Sequence, residues 1–335
     1  MRRSLPVLVA VLSLVLTACG GGAPAAPASR PSVTVGSTNF YEQVTLGELY
    51  AQILEANGYP VTKKFNLGTR EIVQPALQSG QIDVLAEYLA TLVLFLDKNG
   101  KPTGDKTETA KILQGLLEPK ALTVLDPADA TDQNGIVVTK ETAQKRNLKK
   151  VSDLVPIAKE LVFGGPPTCP ERPFCAIGLR DTYGIIFKDF KPLDTGGPLT
   201  VAALEGKQID VALLFTSDPS ISAKGFVLLE DDKKLQRADN IAPVVRNDLL
   251  AKDNGDLKRL LNSISAKLSQ AELGELNKQV SIDKMDSKDA AAAWLKKQGW
   301  ADMNRVVMEG WSYGGYMTAF AVTHSDAWKA GIVGA

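Results

Sequence analysis

Ala76-Leu77-Gln78-Ser79-Gly80-Gln81-Ile82-Asp83-Val84-Leu85-Ala86-Glu87-Tyr88 is echoed by Ala203-Leu204-Glu205-Gly206-Lys207-Gln208-Ile209-Asp210-Val211-Ala212-Leu213-Leu214-Phe215 at a constant offset of 127 residues. Each stretch predicts a helix end, a glycine-containing turn and a buried strand. Each strand runs out at an aromatic residue, Tyr88 in one and Phe215 in the other. Upstream, Val33-Thr34-Val35-Gly36 and Glu160-Leu161-Val162-Phe163-Gly164 sit at nearly the same offset and predict strands that stop at glycine. Two α/β units with equivalent strand ends imply two lobes with a cleft between them. Open α/β sheets bind ligands beyond the carboxyl ends of their strands. That rule puts residues 36–43, 88–91, 164–166 and 215–218 around the cleft. Asp83 and Asp210 are read as structural.

The rest of the chain fits this frame. Residues 41–56 predict a helix with Val44, Leu46, Leu49, Ile53 and Leu54 on one face and Gly58 beyond its end. Residues 256–268 carry Leu257, Leu260, Leu261, Ile264 and Leu268 at helical spacing. Ser269-Gln270-Ala271-Glu272 reads as a capping box for the next helix. A last helix over 287–298 is closed by Gly299. The strand Gly135-Ile136-Val137-Val138-Thr139 and the segment 238–245 bracket the second unit, so both are expected to cross between lobes.

Composition narrows the chemistry. The 335 residues are 44% hydrophobic, and 38 Lys+Arg balance 38 Asp+Glu. A neutral chain argues against a nucleic-acid binder, which normally carries a basic excess. His324 is the one histidine, so Ser–His or Cys–His catalysis would have to run through it. A multi-histidine metal site is excluded. The three cysteines, Cys19, Cys169 and Cys175, are too few for a four-cysteine zinc site. No metal and no cofactor is expected.

The amino terminus sets the compartment. Arg2 and Arg3 precede an apolar run over 5–18 that is too short for a comfortable membrane span and fits a secretory signal. The run ends Leu16-Thr17-Ala18-Cys19-Gly20, which resembles a bacterial lipoprotein box. The resemblance implies cleavage before Cys19 and lipid on that cysteine. Residues 20–29 are Gly, Ala, Pro and Ser, too poor in apolar surface to order themselves, and read as a tether. Export favours a disulfide between Cys169 and Cys175. Pro166, Pro167, Pro170 and Pro173 exclude helix or central strand there, so the bridge would staple a surface loop. So short a loop places the gain at about 2–3 kcal/mol.

Four segments carry a family resemblance. Gly36-Ser37-Thr38-Asn39-Phe40-Tyr41-Glu42-Gln43, Asn66-Leu67-Gly68-Thr69-Arg70-Glu71, Ile82-Asp83-Val84-Leu85-Ala86-Glu87-Tyr88 and Phe215-Thr216-Ser217-Asp218-Pro219 resemble the glycine betaine/carnitine/choline-binding proteins of ABC importers. The resemblance spans about residues 33–300. It implies a two-lobed periplasmic-binding-protein fold of type II character, with a hinge and a ligand cleft. It also implies a monomeric receptor that hands an osmolyte to a membrane permease driven by a separate ATPase. No Gly-x-x-x-x-Gly-Lys-Ser/Thr phosphate loop occurs in the chain, as suits a receptor. A quaternary ammonium has no N–H to donate, so aromatic faces must hold it, at about 0.5–2 kcal/mol each. By position, Tyr88 and Thr91 match the tyrosine and threonine of the family's Tyr-x-Gly-Thr motif, here Tyr88-Leu89-Ala90-Thr91. Phe215 stands where tyrosine is frequent. Thr38 and Asn39 lie in the loop that contacts ligand, with Phe40 and Tyr41 beside it, and Asp218 follows the second strand end. Asn134 and Asp239 stand where some members carry further cage tyrosines. That thinner cage leaves the identity of the solute open, and a solute sensor without transport stays a third reading.

Residues 301–335 change character. Arg305-Val306-Val307-Met308-Glu309 predicts a strand, Gly310-Trp311-Ser312-Tyr313-Gly314 has the nucleophile-elbow pattern leading into a helix, and Ala330-Gly331-Ile332-Val333 begins another strand. The string resembles the catalytic-serine segment of prolyl-oligopeptidase-type peptidases, with Ser312 as nucleophile. In α/β-hydrolases the acid and then the histidine follow on later strand-end loops. His324 falls on or just beyond the elbow helix, and the flanking sheet is absent. The segment therefore reads as a peptidase-like fragment joined to a receptor, with Ser312 vestigial. The expected organisation is a signal (1–18), a lipidated tether (19–32), lobe 1 (33–133 and 240–300), lobe 2 (134–239) and the fragment (301–335).

Overall fold

The computed structural model describes residues 30–300 and two further strands, Val307–Trp311 and Ala330–Gly334. The signal, Cys19, Ser312 and His324 lie outside the described residues. Two five-stranded sheets organise the body. The first uses β1 (Val33–Gly36), β2 (Val61–Lys64), β3 (Val84–Tyr88), β4 (Leu122–Val124) and β10 (Ile241–Arg246). The second uses β5 (Asn134–Val138), β6 (Val162–Gly165), β7 (Asp189–Pro192), β8 (Val211–Phe215) and β9 (Val227–Leu228). Their orders are β2-β1-β3-β10-β4 and β7-β6-β8-β5-β9. In each, three parallel strands are followed by an antiparallel pair. The sequence echo therefore extends to whole sheets: β1 answers β6, β3 answers β8, and β10 plays in the first lobe the part β5 plays in the second.

The echoed aspartates explain why the pattern recurs. Asp83 Oδ2 accepts the Thr34 N–H at 2.8 Å, and Asp210 Oδ2 accepts the Val162 N–H at 2.8 Å. Each carboxylate ties the entry of one parallel strand to the start of its neighbour. Behind the first sheet, Val35, Leu49, Val84, Ile264 and Trp294 join one core; behind the second, Val138, Phe163, Val211 and Leu213 join another.

The crossings fall beside the expected strands, not on them. The strand read over 135–139 is β5, which lies wholly in the second sheet because Ile136 and Val138 belong to that core. Of the segment 238–245, residues 241–245 belong to β10 in the first sheet. The chain passes between lobes in the stretches before these strands, and the two passages run side by side. Thr131 bridges Asn240, Asp132 N donates to Asp239 O at 3.2 Å, and Asn240 Nδ2 donates to Ala128 O at 2.9 Å.

Helix α1 (Tyr41–Ala56) has the expected bounds but not the expected face. Leu46, Leu49, Ile53 and Leu54 are buried, yet so are Glu42, Gln43, Thr45 and Glu48, while Val44 is only half-buried. Its first turn is enclosed by the other lobe as well as by its own core. Among the helices that follow, α2 (Arg70–Gln78), α3 (Pro198–Glu205) and α4 (Asp256–Lys267) precede the closing pair α5 (Gln270–Ser281) and α6 (Ser287–Lys297). At α5 half of the capping box forms: Ser269 Oγ accepts the Glu272 N–H at 3.3 Å. The Glu272 carboxylate turns instead to Trp294 Nε1 at 2.6 Å and Lys297 Nζ at 2.7 Å, joining α5 to α6.

Cys169 and Cys175 form a disulfide with Cα atoms 5.3 Å apart. Among the described residues no helix is long and apolar enough to cross a membrane. Val307–Trp311 and Ala330–Gly334 pair in parallel, close to where the sequence predicts two strands.

Asp210→Ala leaves the Val162 N–H without its acceptor and is expected to cost about 1–3 kcal/mol, read as a lowered urea midpoint with an unchanged slope.

Candidate functional site

The seam between lobes is built from strand ends and the turns that leave them. After β1, Ser37 Oγ accepts the Asn66 N–H at 3.0 Å and donates to Thr38 O at 2.9 Å, while Asn39 N donates to Gly68 O at 3.0 Å. These bonds fold the loop back onto its own lobe, leaving Asn39 exposed and Thr38 half-buried. Phe40 then projects toward the second lobe. Its ring centroid lies 4.7 Å from that of Phe215 and 5.0 Å from that of Tyr41. Phe215 ends β8, and Gly196 backs it: any Cβ there would lie 2.7 Å from the Phe215 ring, and its φ of +63° also favours glycine.

Tyr88 joins this group through a carboxylate. Its hydroxyl donates to Glu42 Oε1 at 2.5 Å. Glu42 Oε2 lies 2.7 Å from Ser217 Oγ and accepts from Asn277 Nδ2 at 2.6 Å. Ser217 Oγ lies equally close, 2.7 Å, to Asp132 Oδ1. Burial raises the Glu42 carboxyl, and burial together with the facing Glu42 carries Asp132 well above the usual carboxylate range. Burial also raises Asp218 and the Tyr41 phenol. Gln43 is 1% exposed, and neither of its amide atoms makes a well-formed hydrogen bond, although the Tyr88 hydroxyl lies within its reach.

A second network braces the cleft side of lobe 1. Arg70, at the start of α2, pairs with Glu87 Oε2 at 2.8 Å and donates to Thr91 Oγ1 at 3.0 Å. Gln74 Nε2 donates to Glu87 Oε1 at 2.6 Å. Thr91 N donates to Asp239 Oδ1 at 2.9 Å, and burial pushes the Asp239 carboxyl up to about 7, opposed by the Thr91 N–H and Arg70. Across the seam, Arg172 reaches Glu71 at 3.1 Å. Arg172 sits within the disulfide loop, whose Phe174 carbonyl accepts Asn134 Nδ2 and Gln236 Nε2, both at 3.0 Å.

The sequence-derived site residues thus separate into groups. Phe40, Tyr41, Phe215 and Tyr88 converge on the seam. Thr91 and Asp239 are spent on each other, Asn134 on the disulfide loop, and Asp218 on the Ser220 N–H at 2.8 Å, as an aspartate opening a turn would be. Arg70, Asp132, Arg172 and Asn277 fall outside the ranges read as cleft-lining, and Glu42, Gln43 and Ser217 fall inside them without having been given a role. Glu42 and Gln43 lie in a quoted motif, but a buried acid leaves no periodic trace. Two cavities lie near the seam. One, of about 310 Å³, is lined by Asn134, Tyr183, Thr216 and Gln236 in the second lobe. The other, of about 450 Å³, has walls from both lobes, including Ser217, Asp218, Gln270 and Lys278. Neither is lined by Phe40, Tyr88 or Phe215.

The substrate-binding domain of the ABC-type glycine betaine transport system matches residues 31–297. The chain belongs to this family. It is 29% identical over 280 residues to the glycine betaine-binding protein YehZ of Escherichia coli K12, covering 80% of this chain and 91% of the relative. It is 27% identical over 302 residues to the carnitine transport binding protein OpuCC of Listeria monocytogenes, covering 88% of this chain and 95% of the relative. A crystal structure described as a glycine betaine/carnitine/choline ABC transporter aligns with TM-score 0.65 and 26% identity, over 81% of this chain and all of that one. The two-lobed periplasmic-binding-protein fold and the role of transport receptor follow; this is a family of binding proteins, not of enzymes. Substrate-binding proteins of ABC importers work outside the cytoplasm and act with a permease, and those of this family bind small osmolytes. The prolyl oligopeptidase family matches residues 270–335, a short terminal stretch that overlaps the receptor match.

Arg70→Met would leave Glu87 buried and unpaired, and is expected to cost about 3–5 kcal/mol in chemical denaturation. Adding Glu87→Leu should recover most of that loss.

Proposed function

We propose that this receptor closes its two lobes on a glycine betaine-like zwitterion, with Phe40, Tyr88 and Phe215 around the quaternary ammonium and Gln43 donating to the carboxylate. The observation that carries the reading is the aromatic contact across the seam, Phe40 on Phe215 at 4.7 Å, in front of the buried Glu42 carboxyl group. A quaternary ammonium offers no hydrogen bond, so π-faces in a desolvated seam are the chemistry that retains it. Gln43 supports the other end: a buried amide without a well-formed hydrogen bond is costly until a ligand atom meets it. Thr38, Asn39, Tyr41 and Thr91 frame the site, and Asn134, Asp218 and Asp239 act from behind it.

The receptor works as a monomer, held at the outer face of the membrane by lipid on Cys19. It delivers solute to a permease driven by a separate ATPase. Residues 33–133 and 240–300 form lobe 1 and residues 134–239 lobe 2. Ser312 has no turnover role. The family match over residues 31–297 is to a substrate-binding domain, whose task is to bind and not to turn over.

Titration calorimetry of the full chain with glycine betaine is expected to give saturable binding, and Tyr88→Ala to weaken it at least tenfold, about 1.4 kcal/mol. Unchanged affinity in that variant would remove Tyr88 from the site. A fluorophosphonate probe should leave Ser312 unlabelled; labelling abolished by Ser312→Ala would establish a hydrolase instead.

A further inference from the structure

Ser217 Oγ carries one hydrogen, yet it lies 2.7 Å from Glu42 Oε2 and 2.7 Å from Asp132 Oδ1. A hydroxyl donates once. If both carboxyls were ionised, one of these contacts would set lone pair against lone pair at hydrogen-bond distance in a buried seam. A second proton must therefore sit in the triad. Its place follows from the other donors. Both Glu42 oxygens already receive hydrogens, Oε1 from Tyr88 at 2.5 Å and Oε2 from Asn277 Nδ2 at 2.6 Å. The Asn277 amide nitrogen can only donate. Asp132 receives only the longer Ser217 N–H at 3.2 Å. The chain of donation runs from protonated Asp132 to Ser217 Oγ and from Ser217 to Glu42.

We propose that this single proton is a latch between the lobes. Glu42 and Asn277 belong to the first lobe's helices, Ser217 follows β8 of the second, and Asp132 lies in the passage between them. With the proton present the three groups hold together; without it two buried carboxylates face each other across one hydroxyl. The charged and titratable surroundings offer no substitute. Tyr41 and Asp218 face Glu42, and Asp239 faces Asp132. No lysine or arginine among the described residues forms an ion pair with Glu42 or Asp132.

The sign is set by linkage. A carboxyl whose proton is held more tightly in the joined state stabilises that state at acid pH. The stabilisation fades as pH rises from the ordinary carboxylate range toward the raised value. Lobe closure, and ligand affinity with it, should weaken with rising pH by up to about tenfold per unit for one proton.

Asp132→Asn tests this, because its amide does not titrate; with Nδ2 toward Ser217 Oγ it donates at every pH, at the cost of facing the Ser217 N–H that Asp132 Oδ1 accepts, so the change with pH and not the absolute stability is compared. Melting of the ligand-free full chain and its affinity for glycine betaine are both followed against wild type from the ordinary carboxylate range, about pH 4, upward through neutral into alkaline pH. Asp239 titrates in both proteins, so most of its share cancels in the difference between them. The expected result is that the wild type loses melting temperature relative to Asp132→Asn as pH rises, and that its affinity falls while the variant's stays level. Parallel melting profiles overturn the proposal. The affinity arm rests on the betaine reading; if glycine betaine fails to bind at every pH, that reading falls and the ligand-free melting profiles still judge the latch. If Asp132→Asn does not fold, Ser217→Ala serves. Its loss relative to wild type should be largest at acid pH and shrink as pH rises, and a constant loss would refute the latch.

Discussion

Burying the Glu42 carboxyl group is the constraint on which the seam depends. An acidic group removed from water with no cation beside it is costly and survives only if its oxygens are met by donors. Glu42 is met by Tyr88 at the end of β3, by Ser217 in the opposite lobe and by Asn277 in α5. These groups are remote in sequence and come together only when both lobes and the closing helices are in place. Meeting them fixes the first turn of α1, and with it the position of Phe40 against Phe215.

The interactions that span the seam differ greatly in worth. Arg172 and Glu71 join the lobes, but their side chains are 34% and 44% exposed. Pairs of that exposure contribute about 0–1 kcal/mol and are screened by salt. They guide closure without locking it. The aromatic contact adds about 0.5–1.5 kcal/mol beyond its burial. The Glu42 group is the member that cannot be half-made, since any donor withdrawn leaves a buried oxygen unmet. A receptor that must open to load and release needs most of its interlobe contacts to be weak, and this one concentrates its strong polar contacts in a small buried cluster.

Much of the architecture was legible before any coordinates. The doubled Ile-Asp-Val motif and the glycine-ended strands predicted two similar α/β units, because a buried strand and its turn leave a local signature. The structure adds that the copies agree over all five strands, and that β10 completes the first sheet after the chain has built the second. Helix α1 was placed by its apolar spacing, but its buried acid and amide were not, since periodicity reports the apolar side of a helix only. The capping box at Ser269 was half right because Trp294 and Lys297, brought in from α6, compete for Glu272.

The site divides the same way. Tyr88 and Phe215 were read as strand ends, and the structure ends β3 and β8 at them, because a strand and its end need only local pattern and order. Thr91, Asn134, Asp218 and Asp239 were found as positions, but the structure assigns their polar atoms to neighbours distant in the chain. Covalent order and apolar spacing determined the two units, their strands and the aromatic residues at their tips. The proton count at Ser217, the partners of Glu42 and the bracing of Asp239 belonged to the tertiary structure. A hydrogen bond depends on which donors arrive within three ångströms, and residues as remote in sequence as Glu42, Ser217 and Asn277 meet only after the chain has folded.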